Sequence, residues 1–300
     1  MSMKIPRKST VRGLGPLPAP IHMAARFNDN AEIVGLLLNP LSISRRVFLL
    51  SLDDGENSSL SIAAKYNKSA AALTVLLEKL SVSEKVCLLQ QTIDRYGRTA
   101  VHMAADSEYE SAAKIESLLQ GVDPETKVEL LCMMSHALNR TPVHTAANMR
   151  DDPTVVGVLL EELNSTQQCQ VLSMKAKDDS TPLHLAAANI PAVAERMIEG
   201  LVEAELLNLL CVYNNRGSTP LHIAAERGSD SAAMMNVLMQ HVSKESQNEL
   251  LKQRNSKGMT PTEIAQKVAE VQPKAAAVQT LDVRPKTSVK SQVLEDEPID

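Results

Sequence analysis

The stretch Thr181–Ala187 reads "TPLHLAA" and decides what kind of chain this is. Taken alone, His184 has three possible roles: metal ligand, general base, or satisfied core residue. The same stretch recurs, and the recurrence separates these readings. Copies are "APIHMAA" from Ala19, "SSLSIAA" from Ser58, "TAVHMAA" from Thr99, "TPVHTAA" from Thr141, "TPLHIAA" from Thr219 and a degraded "TPTEIAQ" from Thr260. Their fourth positions are His22, Ser61, His102, His144, His184, His222 and Glu263, separated by 39, 41, 42, 40, 38 and 41 residues. A period of this size marks a solenoid or array.

Each copy has the chemistry of a helix start. The hydroxyl of Thr99, Thr141, Thr181, Thr219 or Thr260 can accept from an orphan N–H of the first turn. A proline beside it occupies the first helical position, where its missing N–H costs nothing. Thr260 with Glu263 has the spacing of a reciprocal capping box. Two residues before the threonine stand Gly97, Asn139, Asp179, Gly217 and Gly258, types that tolerate positive φ, so a tight turn is expected there. A second amphipathic helix follows, as in "AEIVGLLLN" from Ala31, and Pro153 and Pro191 mark two of its first turns.

These residues carry a resemblance to the ankyrin repeat family, whose signature is T-P-L-H-x-A-A. The resemblance implies an all-α solenoid of helix pairs with turn or hairpin fingers along one edge. It also implies that His22, His102, His144, His184 and His222 tie helix starts to neighbouring turn backbone. The chain departs from the family in period, at about 40 residues against 33. The surplus carries a repeated apolar pair: Leu49–Leu50, Leu88–Leu89, Leu130–Leu131, Val171–Leu172, Leu209–Leu210 and Leu250–Leu251. Cap-like residues precede several pairs (Ser81 with Glu84, Asp123 with Pro124, Asn164 with Gln167, and Ser243), so a short extra helix per unit is expected. Cys87, Cys132, Cys169 and Cys211 lie in these inserts and are expected to be buried. No two form a CxxC pair, which argues for a reducing compartment.

The expected organisation is a flexible basic arm over 1–13, an array of about seven units over 14–268, and a disordered acidic tail over 269–300. Composition agrees with an array. Hydrophobic residues make up 44% of the chain and aromatics only 2%, so close-packed Ala and Leu replace rings. Net charge is −5, which gives no drive toward nucleic acid. No apolar run reaches the roughly 18 residues of a membrane span. Gly-rich phosphate loops, HExxH and paired-Cys metal motifs are missing, and histidines one per unit stand too far apart to share a metal. No catalytic residue, cofactor or metal is therefore expected.

The function expected is a non-enzymatic scaffold or adaptor that binds a partner protein, as a cytoplasmic monomer. The resemblance places the partner on the concave face, made of turn tips and inner-helix ends. Matching positions are Arg26, Phe27, Lys65, Tyr66, Arg95, Tyr96, Arg98, Asp106, Tyr109, Arg140, Asn148, Met149, Arg216 and Arg227. The tips are basic, which suits an acidic or mixed-charge partner segment. Arrays of this type also occur in bacterial effectors delivered into the host cytosol, and such an effector is the alternative reading.

Overall fold

A computed structural model describes residues 20–27, 31–54, 57–92, 94–149 and 152–281. The expected basic arm 1–13 lies outside them. Helices come in triplets. Unit one is α1 (Pro20–Phe27), α2 (Ala31–Leu38) and α3 (Ile43–Ser51); unit two is α4 (Ser59–Tyr66), α5 (Ala71–Leu77) and α6 (Val82–Leu89). Unit three is α7 (Ala100–Ala105), α8 (Ser111–Leu119) and α9 (Pro124–Cys132); unit four is α10 (Pro142–Met149), α11 (Pro153–Leu160) and α12 (Ser165–Leu172). Unit five is α13 (Pro182–Ala188), α14 (Pro191–Ile198) and α15 (Glu203–Leu210); unit six is α16 (Pro220–Ala225), α17 (Ser231–Met239) and α18 (Lys244–Lys252). One long helix follows, α19 (Pro261–Leu281).

Like helices stack on like. The inner row runs α1, α4, α7, α10, α13, α16, α19, and the outer row runs α2, α5, α8, α11, α14, α17. The alanine pairs (Ala24–Ala25 through Ala224–Ala225) are buried in every unit, so the inner helices approach closely over small side chains. Large aliphatics from both rows complete one continuous core.

The extra helix is present in all six triplets. Ser81 with Glu84 and Asn164 with Gln167 form capping boxes, and Asp123 caps α9 ahead of Pro124. The apolar pairs are buried, apart from Leu49 and Leu251, which are half-buried. The cysteines are not buried as expected: Cys132 and Cys169 are half-exposed, and Cys87 and Cys211 are exposed. A helix turns about 100° per residue, so with the pair set against the stack the cysteine positions beside it swing toward solvent.

A second feature binds the extra helix to the next unit. Arg46 on α3 donates to the Glu78 carbonyl, Lys85 on α6 to the Gln120 carbonyl (2.7 Å), and Lys127 on α9 to the Val158 and Glu161 carbonyls (3.1 and 2.6 Å). All three cations are buried. They occupy one repeat position, three before the first residue of the apolar pair, and each reaches the end of the next unit's outer helix. Orphan carbonyls and the negative end of the helix dipole both favour a cation there. In units four to six the same position holds Gln168, Leu206 and Gln247, and this charged row stops.

The turns are as expected. Gly97, Asn139, Asp179, Gly217 and Gly258 all have φ between 50° and 73°. At Gly97 space as well as φ excludes a side chain, because a Cβ would lie 2.4 Å from the His136 ring. Adjacent turns are joined by backbone bonds: His136 N–H to the Tyr96 carbonyl, Lys177 N–H to Leu138, and Asn215 N–H to Asp178. At the far end α19 continues through Pro273 to Leu281, past the boundary of 269 expected for the tail. Residues 282–300 lie outside the described residues.

Candidate functional site

The histidine of each motif is built into a closed ring of hydrogen bonds. In units three to six, the threonine backbone N–H donates to the histidine Nδ1 at 3.1–3.2 Å. The threonine hydroxyl lies 2.7–2.9 Å from the same nitrogen. An N–H can only donate, so Nδ1 accepts and the ring proton sits on Nε2. That Nε2–H donates to the carbonyl before the next unit's threonine: His102 to Arg140 (2.9 Å), His144 to Ser180 (3.0 Å), His184 to Ser218 (3.0 Å) and His222 to Met259 (3.1 Å). Burial lowers His102, His144 and His184 to about 4, and lowers His222 as well. These imidazoles are neutral struts with both nitrogens engaged, which leaves no lone pair for a substrate or metal.

His22 reaches the Leu52 carbonyl at 3.2 Å. Ser61, at the unit-two position, closes only its local capping box with Ser58. The rung from unit two to unit three is therefore missing. A polar network stands in its place. Lys65 pairs with Asp106 at 2.6 Å, and Arg98 with both Asp94 (2.6 Å) and Asp106 (3.3 Å). Buried Lys114 donates to the Asn67 carbonyl and to Ser107 Oγ, and Glu110 accepts from the Ala70 N–H. Asp106 is 9% exposed, so of the residues assigned to the partner face, Lys65 and Asp106 are engaged in joining units two and three, and Arg98 holds Asp106 from within unit three.

The remaining assigned residues fall into two groups. Arg26 stacks over both Phe27 (5.4 Å) and Tyr66 (4.6 Å), and Tyr96 has Arg95 at 4.7 Å and Arg98 at 5.3 Å. Through Lys65, Asp106 and Arg98 these rings belong to one contiguous patch. Tyr109 is fixed beside it, its N–H on Ser107 Oγ, which itself donates to the Lys65 carbonyl. Arg140, Asn148, Met149, Arg216 and Arg227 lie in later units and are not joined to the patch. Asn148 and Arg216 are exposed, Arg140 is half-buried, and half-buried Arg227 pairs locally with Asp230 (3.8 Å). Met149 ends α10.

The chain has two Phe, four Tyr and no Trp. Every one of the six rings is exposed, from 39% for Tyr96 to 69% for Phe27. Sequence reasoning placed four and missed Phe48, on the solvent side of α3, and Tyr213, beside the unit-six turn. The signal was present for Phe48: its repeat counterparts are Cys87, Glu129, Gln170, Asn208 and Glu249, all exposed.

The family model for ankyrin repeats (3 copies) matches residues 21–128. Residues 21–128 are ankyrin repeats. Over the array the fold is shared with solved ankyrin domains of low sequence identity. The ankyrin repeat domain of Bcl-3, a unique member of the IkappaB protein family, is 19% identical, with a TM-score of 0.55 over 85% of this chain and 98% of that one. The human ASB11 ankyrin repeat domain is 18% identical, with a TM-score of 0.54 over 85% and 97%. No curated protein matches the sequence. Among the described residues no helix is long and apolar enough to cross a membrane.

Proposed function

We propose that this ankyrin array is a non-enzymatic scaffold that captures a partner protein through the Phe27–Arg26–Tyr66 and Arg95–Tyr96–Arg98 patch on units one to three. One observation carries the reading: the core uses none of the chain's six rings. Aromatic side chains bury the most area per residue, so a stack that keeps all of them outside uses them for contacts other than its own. Exposed Tyr, Phe and Arg are the types that dominate protein interfaces, each worth about 2 kcal/mol or more at a hot spot. Stacking on Arg26 also holds two rings in place before a partner arrives, which lowers the entropy lost on binding. The exposed turn-tip cations Arg95, Arg216 and Lys257 favour a partner segment with acidic residues.

The test is capture of partners from native cells by the full chain, with identification by mass spectrometry. The triple variant Phe27→Ala, Tyr66→Ala, Tyr96→Ala is expected to lose a partner that the control Phe48→Ala, Tyr213→Ala retains. Equal capture by both would remove the patch from the function.

A further inference from the structure

Repeat register compares one position of the outer helix across all six units. The position of Lys114 on α8 holds Ile33, Ala72, Val155, Val193 and Met234 in the other units. Five units place an apolar residue there, and unit three places a lysine that is fully buried. Burying an ammonium group is unfavourable unless it is hydrogen-bonded. Replacing a buried ionic group by a well-packed apolar one is often neutral or stabilising. Stability alone therefore does not call for a lysine at this position.

What Lys114 reaches is the ends of the inner helices. Its Nζ donates to the Asn67 carbonyl, at the C-cap of α4, and to Ser107 Oγ at 2.7 Å, just past α7. Asn67 Nδ2 in turn donates to the Ala25 carbonyl of α1 at 3.0 Å. Ser107 Oγ donates to the Lys65 carbonyl at 3.3 Å. Lys114, Asn67 and Ser107 are all 0% exposed. The backbone beside Lys114 is held from the same side: Glu110 has a φ of 46° and accepts from the Ala70 N–H at 2.7 Å. Left-handed backbone is uncommon outside glycine and persists where the surroundings fix it. One buried network thus ties together the ends of α1, α4 and α7. The patch is built on the residues next to it. Arg26 follows Ala25, Tyr66 precedes Asn67, and Asp106 precedes Ser107. The Arg26–Tyr66 stack at 4.6 Å crosses from unit one to unit two, and the Lys65–Asp106 pair at 2.6 Å crosses from two to three. Both contacts need these helix ends in register.

We propose that Lys114 is a positioning residue of the patch: from the interior it sets the helix ends of units one to three so that Arg26, Tyr66 and Asp106 meet. Its value to partner capture rests on the reading of the patch as the binding surface; its hold on the rings does not. With only six rings in the chain, each can be followed by NMR in the full-length protein with ring-labelled Phe and Tyr. Partner capture is measured alongside. Lys114→Met installs the residue type that unit six has there. It is expected to keep the helical circular dichroism, lose the Arg26–Tyr66 ring contact and shift Tyr66. It is expected to weaken capture about tenfold or more, as misplacing a hot-spot ring does. Tyr213 of unit six should not move. Ser107→Ala keeps the lysine, breaks its link to α7, and is expected to shift Tyr66 in the same way. Lys127→Met removes the buried cation of the next junction and is expected to lower stability while leaving Tyr66 and capture unchanged. Unmoved rings in both Lys114→Met and Ser107→Ala would overturn the proposal, and if Lys114→Met does not fold, Ser107→Ala decides alone. An equal shift of Tyr66 in Lys127→Met would also overturn it, since any weakened junction would then move the ring. Moved rings with full capture would leave the positioning role standing and remove the patch from the function.

Discussion

At the scale of single residues, the chemistry of His184 follows from what surrounds it. Its Nδ1 accepts from Thr181, its Nε2 donates to Ser218, and burial holds it neutral. Replacing His144 by Ala would orphan the Ser180 carbonyl and the Thr141 N–H in the core, at about 1–3 kcal/mol each. We expect urea unfolding to show a loss of roughly 3 kcal/mol. Thr141→Ala should cost less, about 1 kcal/mol, since histidine and main chain keep their other bonds. The histidines' structural role was legible because seven copies could be compared. Positive φ at Asn139 and Asp179 was legible too, because residue type reports backbone demand. The Lys65–Asp106 pair was missed although its signal existed: both occupy the same repeat position in adjacent units, and adjacent units stack in register. The cysteines were misread because a flanking leucine identifies a helix, not a face.

At the scale of elements, the extra helix explains the long period. It contributes a buried apolar pair, and in the first three units it contributes a cation for the next outer helix. The apolar pair and its caps made this helix predictable. The cation was not, because in one dimension Lys127 looks like part of a solvated face; only the neighbouring α11 terminus buries it. Lys127→Met keeps the stem and removes the donor, leaving the Val158 and Glu161 carbonyls unpaired. The expected loss is about 1–3 kcal/mol, read by thermal or urea unfolding. Met at position 206, where Leu stands, should be nearly neutral. Leu131→Ala, at a fully buried pair position, should cost about 2–5 kcal/mol. The length of α19 was the element least legible: Pro273 suggests a stop, yet the helix continues to Leu281.

At the scale of the whole molecule, the stack is joined by different chemistry at its two ends. Four buried histidines span the junctions from unit three to α19, whereas the junction of units two and three lacks that rung and relies on the Lys65–Asp106 pair, which Arg98 supports from unit three, and on Lys114 donating to the Asn67 carbonyl. A solenoid's stability is a sum of unit and junction terms, so the ends should respond to different perturbations. The histidine pKa is lower in the folded state, about 4 for His102, His144 and His184, against about 6.5 unfolded. The unfolded chain therefore binds protons first. The contribution is complete above about pH 6.5 and is lost as pH falls toward 4, up to a few kcal/mol per histidine. Ion pairs at the second junction are partly exposed, so salt screens them while leaving neutral histidines untouched. Amide hydrogen exchange resolves the two cases. Near pH 5 at low salt, protection should fall first in α10, α13 and α16, with α1 and α4 holding. Near neutral pH in about 1 M salt, the order should reverse, with α1 to α6 loosening first. Uniform loss of protection along the chain under both conditions would show that the junctions behave as one cooperative unit and that the division of chemistry has no energetic consequence.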